Sequence, residues 1–148
     1  MATSQNLNQF AARMRLRALQ LSDGIDRVVK QAALAVDQSV VLATPVDTGR
    51  ARSNWIVSVG APAGGTRAAF SPGSKLGRGE SNNASAAIAE GKAVINSKPP
   101  KAAIFISNNL NYIAELNNGS SKQAPKNFVN KAVKEGAAQI QQIKIFEV

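Results

Sequence analysis

The sequence predicts a mixed domain of helices and short strands, and three observations carry that expectation. From Ile25 to Ala43, apolar side chains recur at the period of a helix. From Trp55 to Val59 they alternate at the period of a strand. Between the two lies Thr44-Pro45-Val46-Asp47-Thr48-Gly49-Arg50-Ala51-Arg52-Ser53-Asn54, with a helix-stopping proline and a glycine able to take positive φ. The chain is therefore expected to turn a corner there.

Taken in order, residues 4–21 fit an amphipathic N-terminal helix or arm. Leu7, Phe10, Ala11, Met14, Ala18 and Leu21 share one face, Arg13 and Arg17 lie elsewhere, and Ser4 suits the N-cap. Such a basic helix fits a membrane surface or a phosphate backbone, and equally its own domain or a neighbouring subunit. Ser22-Asp23-Gly24 is expected to break or re-cap it. The second helix then carries Ile25, Val28, Val29, Ala32, Val36, Val40 and Ala43 in one stripe, with Asp26, Arg27, Lys30, Gln31, Asp37 and Gln38 largely off it.

Beyond the strand, residues 60–83 are rich in Gly, Ser, Ala and Pro and read as a flexible basic loop, with Arg67, Lys75 and Arg78 against Glu80. Asn83 is a candidate cap for a helix from Ala84 to Ile95, which Lys98-Pro99-Pro100-Lys101 stops. Ala103 to Ser107 is a second strand. Leu110 to Leu116 fits either a short helix or a strand edge, and residues 117–121 are a loop. Pro125 suits the first turn of a last helix carrying Phe128, Val129, Ala132, Val133, Gly136 and Ile140. Residues 143–148 alternate like a strand and read as a C-terminal arm. With neither an internal repeat nor a boundary, residues 1–148 are expected to form a single domain.

Composition narrows function. The chain of 148 residues has 18 basic and 9 acidic side chains, a net charge of +9, which favours an anionic neighbour or a solvated basic surface. It has no Cys and no His, so thiolate chemistry and the commonest general base and metal ligand are missing. Aromatics make up 5% of the chain, so the core is expected to be thin, with partner subunits supplying part of the burial. No run approaches the ~20 apolar residues of a membrane span, and the N-terminus lacks a signal-peptide pattern. The expectation is a soluble, intracellular protein.

No catalytic motif stands out. Gly73-Ser74-Lys75-Leu76-Gly77-Arg78-Gly79 superficially suggests a phosphate cradle but lacks the flanking strand and helix. At the corner, Asp47 and Thr48 are expected to accept backbone N–H groups, Gly49 to relieve sterics, and Arg50 to pair with Asp47. Pro45, Asp47, Thr48 and Gly49 thus read as a structural turn, with Trp55 its anchor in the core.

The corner resembles a known pattern. A helix ending in Thr44-Pro45-Val46-Asp47-Thr48-Gly49-Arg50-Ala51-Arg52, then Ser53-Asn54-Trp55 and a strand, is similar to the tail-completion and neck proteins of long-tailed bacteriophages, the minor tail proteins of the Z or HK97 type. Asn111-Tyr112-Ile113-Ala114-Glu115-Leu116-Asn117-Asn118-Gly119-Ser120-Ser121 and Ala124-Pro125-Lys126-Asn127-Phe128-Val129 resemble later pieces of the same pattern, in the same order. The matching pieces span roughly residues 25–140.

The resemblance implies an α+β domain in which a long helix packs across a small antiparallel sheet, with additional helices and extended loop and terminal arms. It also implies a homo-oligomeric ring, commonly of six subunits, at the head-proximal end of the tail. Such a ring would meet the tail terminator or tail tube and the head-tail connector, with genomic DNA in its lumen. The expected role is a structural virion protein with neither enzymatic activity nor cofactor. Arg50, Arg52, Arg67, Lys75 and Arg78 are the residues expected at subunit or lumen contacts. A second reading is a basic DNA-binding protein of phage or host, gripping phosphates through Arg67, Lys75 and Arg78.

Overall fold

A computed structural model of the chain describes residues 4–73 and 80–142. The fold is α+β and mostly helical, a long helix packed against shorter helices and a two-stranded antiparallel sheet. Helix α1 spans Ser4–Ala43, 40 residues without interruption. The break expected at Ser22-Asp23-Gly24 is absent. A single interior glycine costs about 1 kcal/mol relative to alanine, and the apolar stripe keeps its register across it from Leu21 to Ile25 to Val28. Asp26 lies in the middle of this helix, off its apolar stripe. It pairs with Lys30 one turn on (3.3 Å) and with the Nζ of Lys98, a buried lysine that follows α3.

Helix α1 ends at Ala43, two residues before Pro45. A short helix α2 (Arg50–Ser53) follows, then strand β1 (Ile56–Val59). Helix α3 runs over Glu80–Asn96, so Asn83 is not its cap but a buried residue within its first turns. Strand β2 (Ile104–Ser107) pairs with β1 in the register Ile56 to Ser107 and Val59 to Ile104. Leu110 to Leu116 resolves into a turn leading to helix α4 (Ile113–Asn117). Helix α5 (Phe128–Ala138) begins three residues after Pro125, because Asn127 takes a left-handed conformation (φ 62°) that sets the helix start. A 3-10 turn, Gln139–Gln142, ends the described chain, and the expected arm over 143–148 lies outside the described residues.

The core is built where α1, α3, α5 and the sheet meet. Val40, Val41, Trp55, Ala84, Ala87 and Ala132 are buried together, with Val36, Ile88, Ile106 and Val129 packed on their margin. Small residues let the helices approach. A Cβ on Gly136 of α5 would lie 2.7 Å from the Val36 Cα of α1, so α5 docks backbone to backbone at that point. Asp37, expected on the polar side, is fully buried facing Gly91 of α3. The period of a single stripe presumes one covered face, whereas α3 and α5 together cover α1 on more than one side. Among the described residues no helix is long and apolar enough to cross a membrane.

Candidate functional site

The corner between α1 and β1 is held by side chains that close backbone gaps. Thr44 donates its hydroxyl to the Val40 carbonyl (2.6 Å) and accepts the indole N–H of Trp55 (2.7 Å), both buried. The last carbonyls of a helix have no partner of their own. Arg52 supplies one, donating Nε to Thr44 O (2.9 Å) and Nη2 to Leu42 O (3.0 Å), and its charge sits at the negative end of the helix dipole. Gly49 takes φ 83°, and a Cβ there would collide with the Asn83 side chain.

Asn83 is the second anchor. Its Oδ1 accepts from Ser53 Oγ (2.9 Å) and Ser71 N (2.8 Å), while its Nδ2 donates to Ser71 O (2.8 Å). Asn54 brackets the backbone of Arg67 from both sides, donating to its carbonyl and accepting from its N–H, each at 2.8 Å. The Arg67 side chain donates Nε to Ser53 O (2.7 Å), forms a two-pronged pair with Glu90 of α3, and stacks 4.6 Å above the Phe70 ring. The part of the loop expected to be flexible that lies at residues 67–71 is therefore strapped onto α2 and α3. No periodic signal marks this strap along the chain, since it uses polar side chains against irregular backbone.

Of the five cations named from the sequence, Arg50, Arg52 and Arg67 lie in the described residues, and each has different partners. Arg50 is exposed, and its Nε faces the Arg67 carbonyl at 3.4 Å rather than pairing with Asp47. Arg52 is engaged with α1 and Arg67 with Ser53 and Glu90. Lys75 and Arg78 lie outside the described residues. Asp47 is exposed, and the Thr48 hydroxyl accepts a long bond from Arg50 N (3.4 Å).

What the corner does bring together is residues 44–55 with two stretches far along the chain, 111–121 and 124–129, which adjoin each other. A cleft of about 240 Å³ is lined by Val46, Asp47 and Thr48 from the first, by Tyr112 and Leu116 of the second, and by Gln123 just ahead of the third. Gln123 is held to the first of them, accepting from Val46 N (2.9 Å) and donating to Val46 O (2.7 Å), as a paired strand would. Asn108 donates to Ala51 O (3.0 Å), tying α2 to the end of β2, and Asn117 accepts from Val129 N (3.0 Å), tying α4 to α5. Burial raises the Tyr112 phenol above its ordinary value, with Arg50 opposing that shift and Asp47 reinforcing it.

The cleft has an acid, a phenol and hydroxyls, but no base placed against a nucleophile. Among the described residues no group of three or more His, Cys, Asp or Glu could hold a metal. The strongest titration anomaly is elsewhere. Asp37 is raised to about 7 by burial, and neither of its carboxylate oxygens has a hydrogen-bond partner. It faces Gly91 at the α1–α3 contact and does not line the cleft at the corner. Comparison with protein-family models, with curated proteins and with solved structures returns no match for this chain.

Proposed function

We propose that this chain is a non-enzymatic structural component of a bacteriophage virion, a tail-completion or neck protein that forms a ring at the head-proximal end of the tail and enables head–tail joining. One observation carries the reading. Residues 44–55, far along the chain from the two adjoining stretches 111–121 and 124–129 that resemble the same pattern, meet them at one corner at the foot of a long helix. The first and second line one cleft, the second and third are bonded at Asn117 and Val129, and Trp55, Ile113 and Val129 share one core.

Two further features support it. The cleft at the corner offers surfaces for a neighbouring subunit rather than a reacting constellation. The exposed Arg50 beside it is a charge that a subunit contact or a DNA-facing lumen would use. The DNA-binding alternative draws less support, because Arg67, one of its three cations, is committed to Glu90 and to backbone carbonyls.

The test is assembly. Phage lacking this protein should accumulate filled heads and separate tails, and adding purified protein to the tails should restore joining. Tails that join heads normally without it would overturn the proposal.

A further inference from the structure

The N-terminal half of α1 stands clear of its own domain. From Asn6 to Gln20 every residue is exposed except Ala11, which is half-covered. Yet this half is not polar. Leu7 is 63% exposed, Phe10 55%, Met14 50% and Ile25 49%, and with Ala11, Ala18 and Leu21 they form one stripe about 100° wide. An isolated helix of roughly 15 residues is marginal in water, so a free arm with this much open apolar surface lacks a partner for its helical form.

The spacing specifies the kind of partner. Leu7, Met14, Leu21 and Val28 recur every seventh residue, as do Ala11, Ala18, Ile25 and Ala32. Two interleaved seven-residue series make the seam of a coiled coil, and alanine in one series lets a second helix come close. The stripe continues into Val36 and Val40, which α5 and the core already cover, so the open half extends an existing helix-packing surface. Beside Ile25 the stripe becomes one wall of a groove of about 510 Å³, with Lys101, Ala102 and Ala103 opposite. A flat bilayer cannot follow a concave wall, whereas a helix can.

Charge identifies the occupant. Arg15 and Arg17 flank the stripe on its two sides, Arg13 lies beyond, and residues 4–22 contain no carboxylate. Lys101 adds a cation at the groove, where Lys98 is already paired with Asp26. Two copies of the arm, parallel or antiparallel, would set arginines against arginines. We infer that the N-terminal half of α1 docks an acidic amphipathic helix of a different protein, seam to seam, with carboxylates flanking the seam against Arg15 and Arg17. This rests on the open face of α1 and is independent of the head–tail reading.

The test uses the full chain and two synthetic three-heptad helices with Leu and Ile at the seam, one flanked by Glu and one by Lys, measured by titration calorimetry. The Glu peptide should bind at least about tenfold more tightly, a difference of about 1.4 kcal/mol. Arg15→Glu with Arg17→Glu should invert that preference. Met14→Gln with Leu21→Gln should weaken binding of the Glu peptide by about tenfold or more. All four positions are exposed, and unchanged Trp55 fluorescence verifies that each variant is folded. Equal binding of both peptides, or binding of neither, overturns the inference. So does self-association of the chain that Met14→Gln with Leu21→Gln abolishes, which would make the occupant a second copy. Binding to phosphatidylglycerol vesicles in preference to the Glu peptide would overturn it in favour of a bilayer.

Discussion

The indole N–H of Trp55 donates to the hydroxyl of Thr44 at 2.7 Å, and this buried bond fastens the end of the long helix to the start of the sheet. The same hydroxyl donates back to Val40, so a single oxygen closes the helix and positions the chain's one Trp. Thr44→Val keeps the shape but removes both bonds and strands a buried donor. The expected loss is about 1–3 kcal/mol, read from urea unfolding followed by Trp55 fluorescence. Thr44→Ser, which keeps the hydroxyl, should lose less than half of that.

Arg50 and Arg52, two residues apart and alike on paper, should separate in experiment. Arg52→Ala frees the carbonyls of Leu42 in the last turn of α1 and of Thr44 just past it, and is expected to lower stability by about 1 kcal/mol, since the site is partly solvated. Arg50→Ala should stay within about 0.5 kcal/mol of the parent. Thermal unfolding of the two variants side by side distinguishes them. Equal losses would mean that Arg50 also belongs to the corner.

Asp37 gives the chain a pH dependence of unusual sign. Its carboxyl titrates at an ordinary 3.8 when unfolded and at about 7 when folded, because burial penalises the charge. The folded state therefore holds the proton more tightly, and stability falls as pH rises from about 4 to about 7. The penalty above that window is on the order of 4 kcal/mol. Asp26 does not mask it. Its carboxyl is lowered, chiefly by the hydrogen bond from Lys98, so its contribution is lost only below 3.8. Asp37→Asn should flatten the slope between pH 4 and 7 and stabilise the protein at pH 8 by on the order of 2 kcal/mol, the remainder being the cost of a buried amide. Denaturant unfolding at several pH values checks this, and an unchanged slope in the variant would contradict it.

Gly49 is predicted to tolerate no side chain. Gly49→Ala meets a left-handed backbone and the Asn83 side chain at once, and Asn83 is itself held by Ser53 and Ser71. The expected cost exceeds about 1 kcal/mol. Gly64→Ala, in open space and at ordinary φ, is the matched control and should be near neutral.

Much of this fold was legible because it is periodic. The stripe from Ile25 to Ala43, the alternation through Val57, and Pro45 as a stop all express local geometry that side-chain spacing records. The break at Ser22-Asp23-Gly24 was not there, because a weak breaker yields to a stripe that continues on both sides. Polar links such as Gln123 to Val46 and Asn83 to Ser71 join residues far apart in sequence and leave no period. Asp37 was misjudged for a related reason. A charge next to an apolar stripe reads as solvated unless the covering element, here α3 with Gly91, is known. Of the candidate site, Trp55 and Gly49 could be read from type and position, whereas the commitments of Arg52 and Arg67 depend on where carbonyls fall in space.

The proposed ring at a head–tail junction can be seen or missed by negative-stain electron microscopy of the purified protein on isolated tails. Closed rings of constant subunit number capping one end of each tail are expected. Protein that stays monomeric at every concentration and leaves the tail ends bare would contradict it.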